Sequence, residues 1–275
     1  MGDDVLLTLR PIAGTDLMVS PIGLGTVKLG RDKGVKYPDS FTIPDDKQAA
    51  QLLDLSRDLG INLLDTAPAY GNSEARLGPL LHNQRNHWLI CSKVGEEFDS
   101  QTGQSHFNFT PEHVRMSVER SLKRLKTDVI DILLVHSDGN DLEVINHYGI
   151  LEQLEQLKAE GKIRAGGMST KTVEGGIETL KRSDIAMVTY NLSYQDELAV
   201  LDYALAHHKG ILIKKALASG HIAQGVDTDP VRASFDLVLG HHGVSSAIIG
   251  TINPDHLRAN VKAVIASLNQ SQSKR

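Results

Sequence analysis

The sequence predicts an α/β fold, a (β/α)8 TIM barrel with a short N-terminal β-hairpin. From residue 45 onwards, short apolar runs alternate with helical patterns, which indicates βαβ crossovers and therefore parallel strands. With residues 22–26, eight apolar runs are each followed by a helical pattern. The length of 275 residues suits one such barrel, so we expect a single domain over residues 1–275. A doubly wound sheet is the alternative, but no Gly-x-Gly-x-x-Gly turn follows a strand.

The N-terminal segment contains two β-prone runs, residues 5–10 and residues 18–21, on either side of a turn at Gly14 and Thr15. This pattern predicts a hairpin that serves as a lid or plug. Residues 22–26 form the first buried strand, and residues 31–44, with a glycine and two prolines, read as a loop.

The alternating elements begin and end at residues that favour those boundaries. Asp45 precedes the first helix, Gly60 follows it, and Thr110 with Pro111 opens another helix as an N-cap and first-turn proline. A polar, frayed tail is expected over residues 269–275. The predicted strands after the first are residues 61–64, 88–93, 129–135, 163–168, 185–190, 210–214 and 246–250. The predicted helices are residues 45–59, 73–81, 111–125, 142–160, 172–181, 196–208, 230–239 and 253–267.

Composition excludes several classes of protein. The formal net charge is -5 without a basic block, which argues against nucleic-acid binding. No apolar run approaches the length of a membrane span, and the first residues lack the basic start of a signal peptide. Cys91 is the one cysteine, so no intramolecular disulfide can form. We expect a cytoplasmic monomer or weak oligomer that binds neither nucleic acid nor membrane.

Polar residues end three consecutive predicted strands: Asp65, Lys93 and His136, with Tyr70 in the loop after the first. In a parallel barrel the carboxyl ends of the strands share one rim, where active sites lie. Taken singly, Asp65 could cap a turn, Lys93 could be solvated and His136 could be structural. Together they place a carboxylate, an ammonium, a phenol and an imidazole near one another, which indicates a catalytic site.

These four groups suit a proton transfer. A phenol has a pKa of about 10, and a neighbouring ammonium lowers it by favouring the phenolate. The carboxylate of Asp65 would orient Lys93, and the imidazole of His136 could orient and polarise a carbonyl oxygen. No metal site is expected, because the histidines at 207–208 and 241–242 are adjacent pairs that make poor chelates.

The chain resembles the aldo-keto reductase superfamily over nearly its whole length. The resemblance rests on residues 64–74 with the pair Leu77 and Gly78, on residues 91–93, and on residues 133–136. It implies a catalytic tetrad of Asp65, Tyr70, Lys93 and His136. It further implies carbonyl reduction by a nicotinamide cofactor, with Tyr70 as the proton donor.

The same resemblance implies a set of cofactor-binding residues. Ser169 would hold the nicotinamide carboxamide, Thr170 stands where the family has asparagine, and Met187 where it usually has glutamine. Lys214 replaces the stacking tyrosine; it could cover the ring with its stem, reach a phosphate or be solvated beside Lys215. A helix beginning near Asn253 would offer free backbone amides to a phosphate. The complete predicted cofactor-binding set is Gly25, Thr26, Asp65, Ser169, Thr170, Lys214, Leu217, Gly250, Asn253, His256 and Asn260.

The resemblance implies NADPH as cofactor, with NADH as the alternative because Gly250 and His256 stand where many members carry lysine and arginine. The expected substrate is a small aldehyde or ketone, and four loop aromatics are candidates to line its site: Tyr37, Phe98, Phe107 and Phe109. Two other functions stay open at this point. The site could work as an alcohol or sugar dehydrogenase, or the protein could be a nicotinamide-sensing accessory subunit with little turnover.

Overall fold

The computed structural model describes residues 7–35, 37, 40–220 and 229–273. Eight parallel strands close into a barrel in which each strand pairs with the next barrel strand along the chain and the last pairs with the first. These strands are β3 (Ile22–Gly25), β4 (Leu63–Asp65), β5 (Leu89–Val94), β8 (Ile130–His136), β9 (Ile163–Ser169), β10 (Ile185–Thr189), β11 (Gly210–Lys214) and β12 (Ser246–Ile249). The predicted (β/α)8 fold class is therefore confirmed.

Helices surround the barrel between successive strands. They are α1 (Asp46–Asp58), α2 (Ser73–Leu80), α3 (Pro111–Leu125), α4 (Asp141–Tyr148), α5 (Ile150–Ala159), α6 (Val173–Arg182), α7 (Leu198–Ala206), α8 (Pro230–Gly240) and α9 (Pro254–Ser273). The first begins with a capping box: the Gln48 amide donates to the Asp45 carboxylate over 2.8 Å, and the Asp45 amide donates to the Gln48 side chain over 3.0 Å. Thr110 caps α3 through the amide of His113, as its sequence predicts.

The N-terminal hairpin consists of β1 (Arg10–Pro11) and β2 (Met18–Val19), paired antiparallel. Its strands are shorter than predicted, and residues 5 and 6 of the predicted first strand lie outside the described residues. Ile12, Leu17 and Val19 pack against inward-facing side chains of the barrel strands, among them Leu63 and Ile132. The hairpin therefore plugs one end of the barrel, which leaves the other end for the site.

Three local features differ from the sequence-based expectation. The single helix predicted over residues 142–160 is two helices, because Gly149 adopts a left-handed conformation with φ 57° and breaks the helical path. A second hairpin, β6 (Glu96–Asp99) and β7 (Gln104–Phe107), lies in a segment predicted as loop. The last helix continues to Ser273, past its predicted end at residue 267.

Parallel pairing brings polar strand ends to one rim. Asp65 ends β4, and its backbone is in register with Gly25 on one side and Cys91 on the other. Likewise His136 ends β8 in register with Ser169 at the end of β9. In the part of the chain that the structure describes, no helix is both long enough and apolar enough to cross a membrane.

Candidate active site

A cavity of about 780 Å³ opens at the carboxyl ends of the barrel strands. This volume is within the range of small-molecule and cofactor sites. All four residues of the predicted tetrad line it: Asp65, Tyr70, Lys93 and His136. Four residues that are far apart in the sequence therefore lie together at one rim of the barrel.

The centre of the site is a buried ion pair. The Lys93 ammonium donates to Asp65 Oδ1 over 2.5 Å and to the carbonyl oxygen of Thr66 over 2.9 Å. The side chains of Lys93 and Asp65 are only 1% and 5% exposed, respectively. The phenol of Tyr70 donates to the other carboxylate oxygen, Oδ2, over 3.2 Å. Asp65 therefore joins the lysine and the tyrosine through one carboxylate.

From the sequence, the ammonium of Lys93 is expected to lower the pKa of the Tyr70 phenol. In the structure this pKa is raised instead. Burial raises the pKa of the Tyr70 phenol, Asp65 raises it further, and Lys93 lowers it without offsetting the other two. For Lys93, burial acts to lower the pKa, but Asp65 and Tyr70 more than offset this and the pKa is raised. At neutral pH the site thus contains a neutral phenol beside a fully charged ammonium.

His136 has a partner that the sequence reading missed. Its Nδ1 lies 2.8 Å from Oε2 of Glu96, the first residue of β6, and Glu96 Oε1 lies 3.9 Å from the guanidinium of Arg31. Glu96 reaches the site because the preceding Gly95 has φ +104° and turns the chain back from β5. Gly95 directly after a strand, together with Gly103 eight residues later, is the sequence signal that could have suggested this hairpin.

Of the predicted cofactor-binding residues, eight line the cavity: Gly25, Asp65, Ser169, Lys214, Leu217, Gly250, His256 and Asn260. The other three do not line the cavity, because two of them use their side chains in hydrogen bonds within the protein and the third is buried. Thr26 donates its hydroxyl to the carbonyl of Asp65, and Asn253 uses its side chain to accept from the amides of Asp255 and His256. Thr170 is fully buried.

The amides at the start of α9 are therefore not free, contrary to the sequence expectation. The helix opens with Pro254, which has no N–H, and Asn253 Oδ1 accepts from the next two amides over 2.8 and 3.3 Å. A phosphate at this end of the cavity would have to bind to side chains, or displace the Asn253 side chain from the backbone amides that it caps.

Lys214 is neither solvated nor directed at the start of α9. Its ammonium donates to the hydroxyl of Ser169 over 2.9 Å and to the carbonyl oxygen of Thr170 over 2.5 Å. Burial lowers the pKa of Lys214 to about 8, while the nearby carboxylate of Glu197 opposes this shift. Ser169 keeps its own hydroxyl proton for a ligand, and the buried Thr170 hydroxyl oxygen has no hydrogen-bond partner among the described residues. This corner suits a carboxamide, which needs both donors and acceptors.

The predicted loop aromatics divide into two groups. Tyr37 lines the cavity beside Gly250, where an added Cβ would lie 3.2 Å from the tyrosine oxygen. The other three are outside the lining: Phe98 lies under the Arg31 guanidinium at 3.8 Å, Phe109 is buried and Phe107 is exposed at the surface. Among the described residues, no cluster of His, Cys, Asp or Glu could hold a metal ion.

Comparison with known proteins agrees with this geometry. The family model for the aldo/keto reductase family matches residues 21–236. A solved structure from Pseudomonas aeruginosa that is assigned to the aldo-keto reductases superposes with a TM-score of 0.85 at 60% identity, covering 94% of this chain and 95% of that one.

For two curated relatives, the match covers a smaller part of the relative's own length than it does for this solved structure. D-arabinose 1-dehydrogenase from Saccharomyces cerevisiae is 32% identical over 64% of this chain and 52% of that protein. NADH-specific methylglyoxal reductase from Escherichia coli is 30% identical over 71% of this chain and 60% of that protein. The chain thus spans between half and two thirds of these two relatives. On the family match and the barrel together, the chain belongs to the aldo/keto reductase family.

Proposed function

We propose that the protein is a nicotinamide-dependent oxidoreductase that reduces aldehyde or ketone carbonyls to alcohols, with Tyr70 as the proton donor. The observation that carries this proposal is the chain of contacts from Lys93 through Asp65 to Tyr70 at the wall of one cavity. General acid catalysis requires a protonated donor within reach of the reacting oxygen, and a phenol with a raised pKa is protonated at neutral pH.

Lys93 contributes by stabilising the product of the proton transfer. When Tyr70 gives up its proton, a phenolate remains in a buried site, which is costly without a nearby positive charge. The Lys93 ammonium lies 4.8 Å from the centre of the tyrosine ring and is held in place by Asp65 and the Thr66 carbonyl. Because these groups are already oriented, little reorganisation accompanies the transfer.

The cofactor would lie along the rim from Ser169 and Lys214 towards Gly250 and His256, all of which line the cavity. When bound, a reduced nicotinamide supplies the hydride that the carbonyl carbon accepts. Ser169 and Lys214 would orient the carboxamide, while the glycines leave room for close approach of the cofactor. NADPH is the first candidate from the family resemblance, and NADH is the alternative because a relative is named as NADH-specific.

Reversal of the same reaction is the second candidate. A sugar dehydrogenase among the relatives favours it, since oxidation of a hydroxyl uses the same four side chains with the proton moving to Tyr70. The raised pKa of Tyr70 favours reduction near neutral pH, because oxidation needs the phenolate as acceptor. In either direction the partner is a small carbonyl or alcohol, and we propose a cytoplasmic monomer or weak oligomer.

The deciding experiment is a titration with NADPH and NADH, followed by turnover of 4-nitrobenzaldehyde and a panel of aldehydes and ketones. Tyr70→Phe should keep the dissociation constant for the dinucleotide while turnover falls about 100- to 10,000-fold, the usual contribution of a general acid. Tyr203→Phe is the matched control, because Tyr203 lies on α7 and stacks on His207 outside the cavity. Unchanged turnover in Tyr70→Phe would remove the proposed role, and tight dinucleotide binding without turnover in either direction would favour a sensor.

A further inference from the structure

Of the lysines that line the cavity, Lys93 and Lys214 lie on barrel strands, and only Lys93 is paired with a carboxylate. Lys93 donates to Asp65 over 2.5 Å, so a negative charge offsets its positive one. Lys214 donates instead to two neutral oxygens, the Ser169 hydroxyl over 2.9 Å and the Thr170 carbonyl over 2.5 Å. The cavity therefore contains a positive charge whose hydrogen bonds leave it uncompensated.

The carboxylate of Glu197 acts on Lys214 through its charge but is not bonded to it. One oxygen of Glu197 accepts from the amide of Thr189 over 3.2 Å, and the other has no hydrogen-bond partner among the described residues. Burial raises the pKa of the Glu197 carboxyl, which weakens its ability to offset a nearby cation. The ammonium of Lys214 is thus the dominant charge in its corner of the cavity.

The charge of Lys214 reaches the centre of the site. Ser169, which accepts from Lys214, ends β9 in register with His136 at the end of β8. Burial lowers the pKa of His136 most strongly, and the positive charge of Lys214 adds to this shift. The rings of His136 and Tyr70 are 6.4 Å apart. A group bound beside these two rings therefore lies within the electrostatic field of Lys214.

The nicotinamide ring is the part of the proposed cofactor whose charge changes in the reaction. Oxidised nicotinamide is a pyridinium with one positive charge, whereas reduced nicotinamide is neutral, and the phosphates carry the same charge in both. A fixed cation within about 10 Å, at an effective dielectric constant of about 20, changes the binding constant of a second cation by about tenfold. A positive charge in this corner should therefore weaken the binding of the oxidised ring and leave the reduced ring unaffected.

We propose that Lys214 is a specificity-determining residue that makes the cofactor site bind reduced nicotinamide dinucleotides in preference to oxidised ones. This inference rests on the proposed function, in which Ser169 and Lys214 orient the carboxamide of the ring. Both side chains can donate to the carboxamide oxygen in either redox state, so these hydrogen bonds do not discriminate. The discrimination comes from the charge of Lys214. It would load the protein with reduced cofactor when both forms are present.

The next residue along the chain provides a matched control. Lys215 also lines the cavity, but it is exposed and lies beyond the end of β11. Water and salt screen an exposed charge far more than a partly buried one. Lys215→Met therefore removes the same charge one position away. Any lost contact with the phosphates would weaken both redox forms equally, so the ratio of their dissociation constants should not change.

The first test measures binding and needs no turnover. Isothermal titration calorimetry with NADP+, NADPH, NAD+ and NADH gives the Kd of each dinucleotide for the wild type, Lys214→Met and Lys215→Met. We expect the ratio of the Kd of the oxidised form to that of the reduced form to fall about tenfold in Lys214→Met and to stay unchanged in Lys215→Met. Equal ratios in the wild type and Lys214→Met would refute the inference and leave the proposed function standing. If none of the four dinucleotides binds to the wild type, the proposed function fails, and the inference fails with it.

The second test uses the wild type, so it does not depend on the folding of Lys214→Met. Burial lowers the pKa of Lys214 to about 8, and the ammonium loses its charge above this pH. The ratio of the two dissociation constants should therefore be high at about pH 6.5 and fall about tenfold by about pH 9.5. A wild-type ratio that is the same at both pH values would overturn the proposal.

The same pH comparison in Lys214→Met separates this lysine from the other titratable groups around it. These groups are Glu197, Asp141, Lys171, Lys215 and His136. We expect a ratio in Lys214→Met that does not change with pH, because the remaining groups are still present and only the ammonium of Lys214 is missing. A fall with pH as large as that of the wild type would assign the effect to one of those groups and refute the role of Lys214.

Discussion

The buried pair of Lys93 and Asp65 makes a quantitative prediction about stability. Lys93→Met replaces the ammonium by an uncharged side chain of similar length and leaves the Asp65 carboxylate, 5% exposed, without its cationic partner, while the Tyr70 phenol still donates to it. Removing one partner of a buried ion pair costs about 3–5 kcal/mol, because the other charge stays desolvated and unpaired. The carbonyl of Thr66 also loses its 2.9 Å bond to the ammonium.

The reciprocal variant, Asp65→Asn, leaves the Lys93 ammonium unpaired and should cost a similar free energy of unfolding. In the double variant both charges are absent, and such replacements are often close to neutral. Since each single variant costs about 3–5 kcal/mol, we expect the double variant to lose at least about 6 kcal/mol less than the sum of the two single variants. This coupling is the part of the stability that belongs to the pair and to neither residue alone.

Urea denaturation followed by fluorescence measures these values, since Trp88 is the one tryptophan and is only 1% exposed. Lys123→Met is the control: Lys123 is an exposed residue of α3, and its loss should change the free energy of unfolding by less than about 0.5 kcal/mol. Strict additivity of Lys93→Met and Asp65→Asn would show that the two charges are not coupled and would contradict the geometry described above.

Three further predictions concern pH, packing and the cofactor. Burial raises the pKa of Tyr70, so kcat/KM for alcohol oxidation should rise towards alkaline pH while reduction does not, and Tyr70→Phe should remove the rise. Gly167→Ala should lower the free energy of unfolding by about 3 kcal/mol, because an added Cβ would lie 1.8 Å from the carbonyl oxygen of Ile185. Gly240→Ala, with no described atom within 4 Å outside its own helix, should cost nothing in the same urea experiment. His256→Arg should tighten NADPH relative to NADH about tenfold in a fluorescence titration, since a guanidinium pairs with phosphate; an unchanged ratio would place His256 away from the 2′-phosphate.

The barrel and the closeness of three polar strand ends could be predicted from the sequence because both follow from periodicity. Alternating strands and helices require parallel pairing, and parallel pairing brings every strand end to the same rim. Asp65, Lys93 and His136 were therefore predicted to lie together without knowledge of a single distance, and they line one cavity. The assignment of chemical roles to them remains a proposal.

The features that escaped prediction depend on single backbone conformations or on contacts distant in sequence. The left-handed conformations of Gly149 and Gly95 break a helix and turn a strand, yet glycine alone does not reveal which conformation it adopts. Glu96 contacts His136, forty residues later, through a hairpin whose strands are too short for a clear alternation. At Asn253, the sequence indicates a helix start, but whether the cap leaves amides free is decided by the side-chain rotamer.

The position of the N-terminal hairpin has a practical consequence. Ile12, Leu17 and Val19 seal the end of the barrel opposite the rim that holds Tyr70 and Lys93. Attachment to a solid support through an engineered residue in the exposed turn of this hairpin would orient the molecules with their cavities facing the solution. An immobilised preparation made in this way should keep the substrate access of the free protein, whereas coupling through surface lysines would orient the molecules at random.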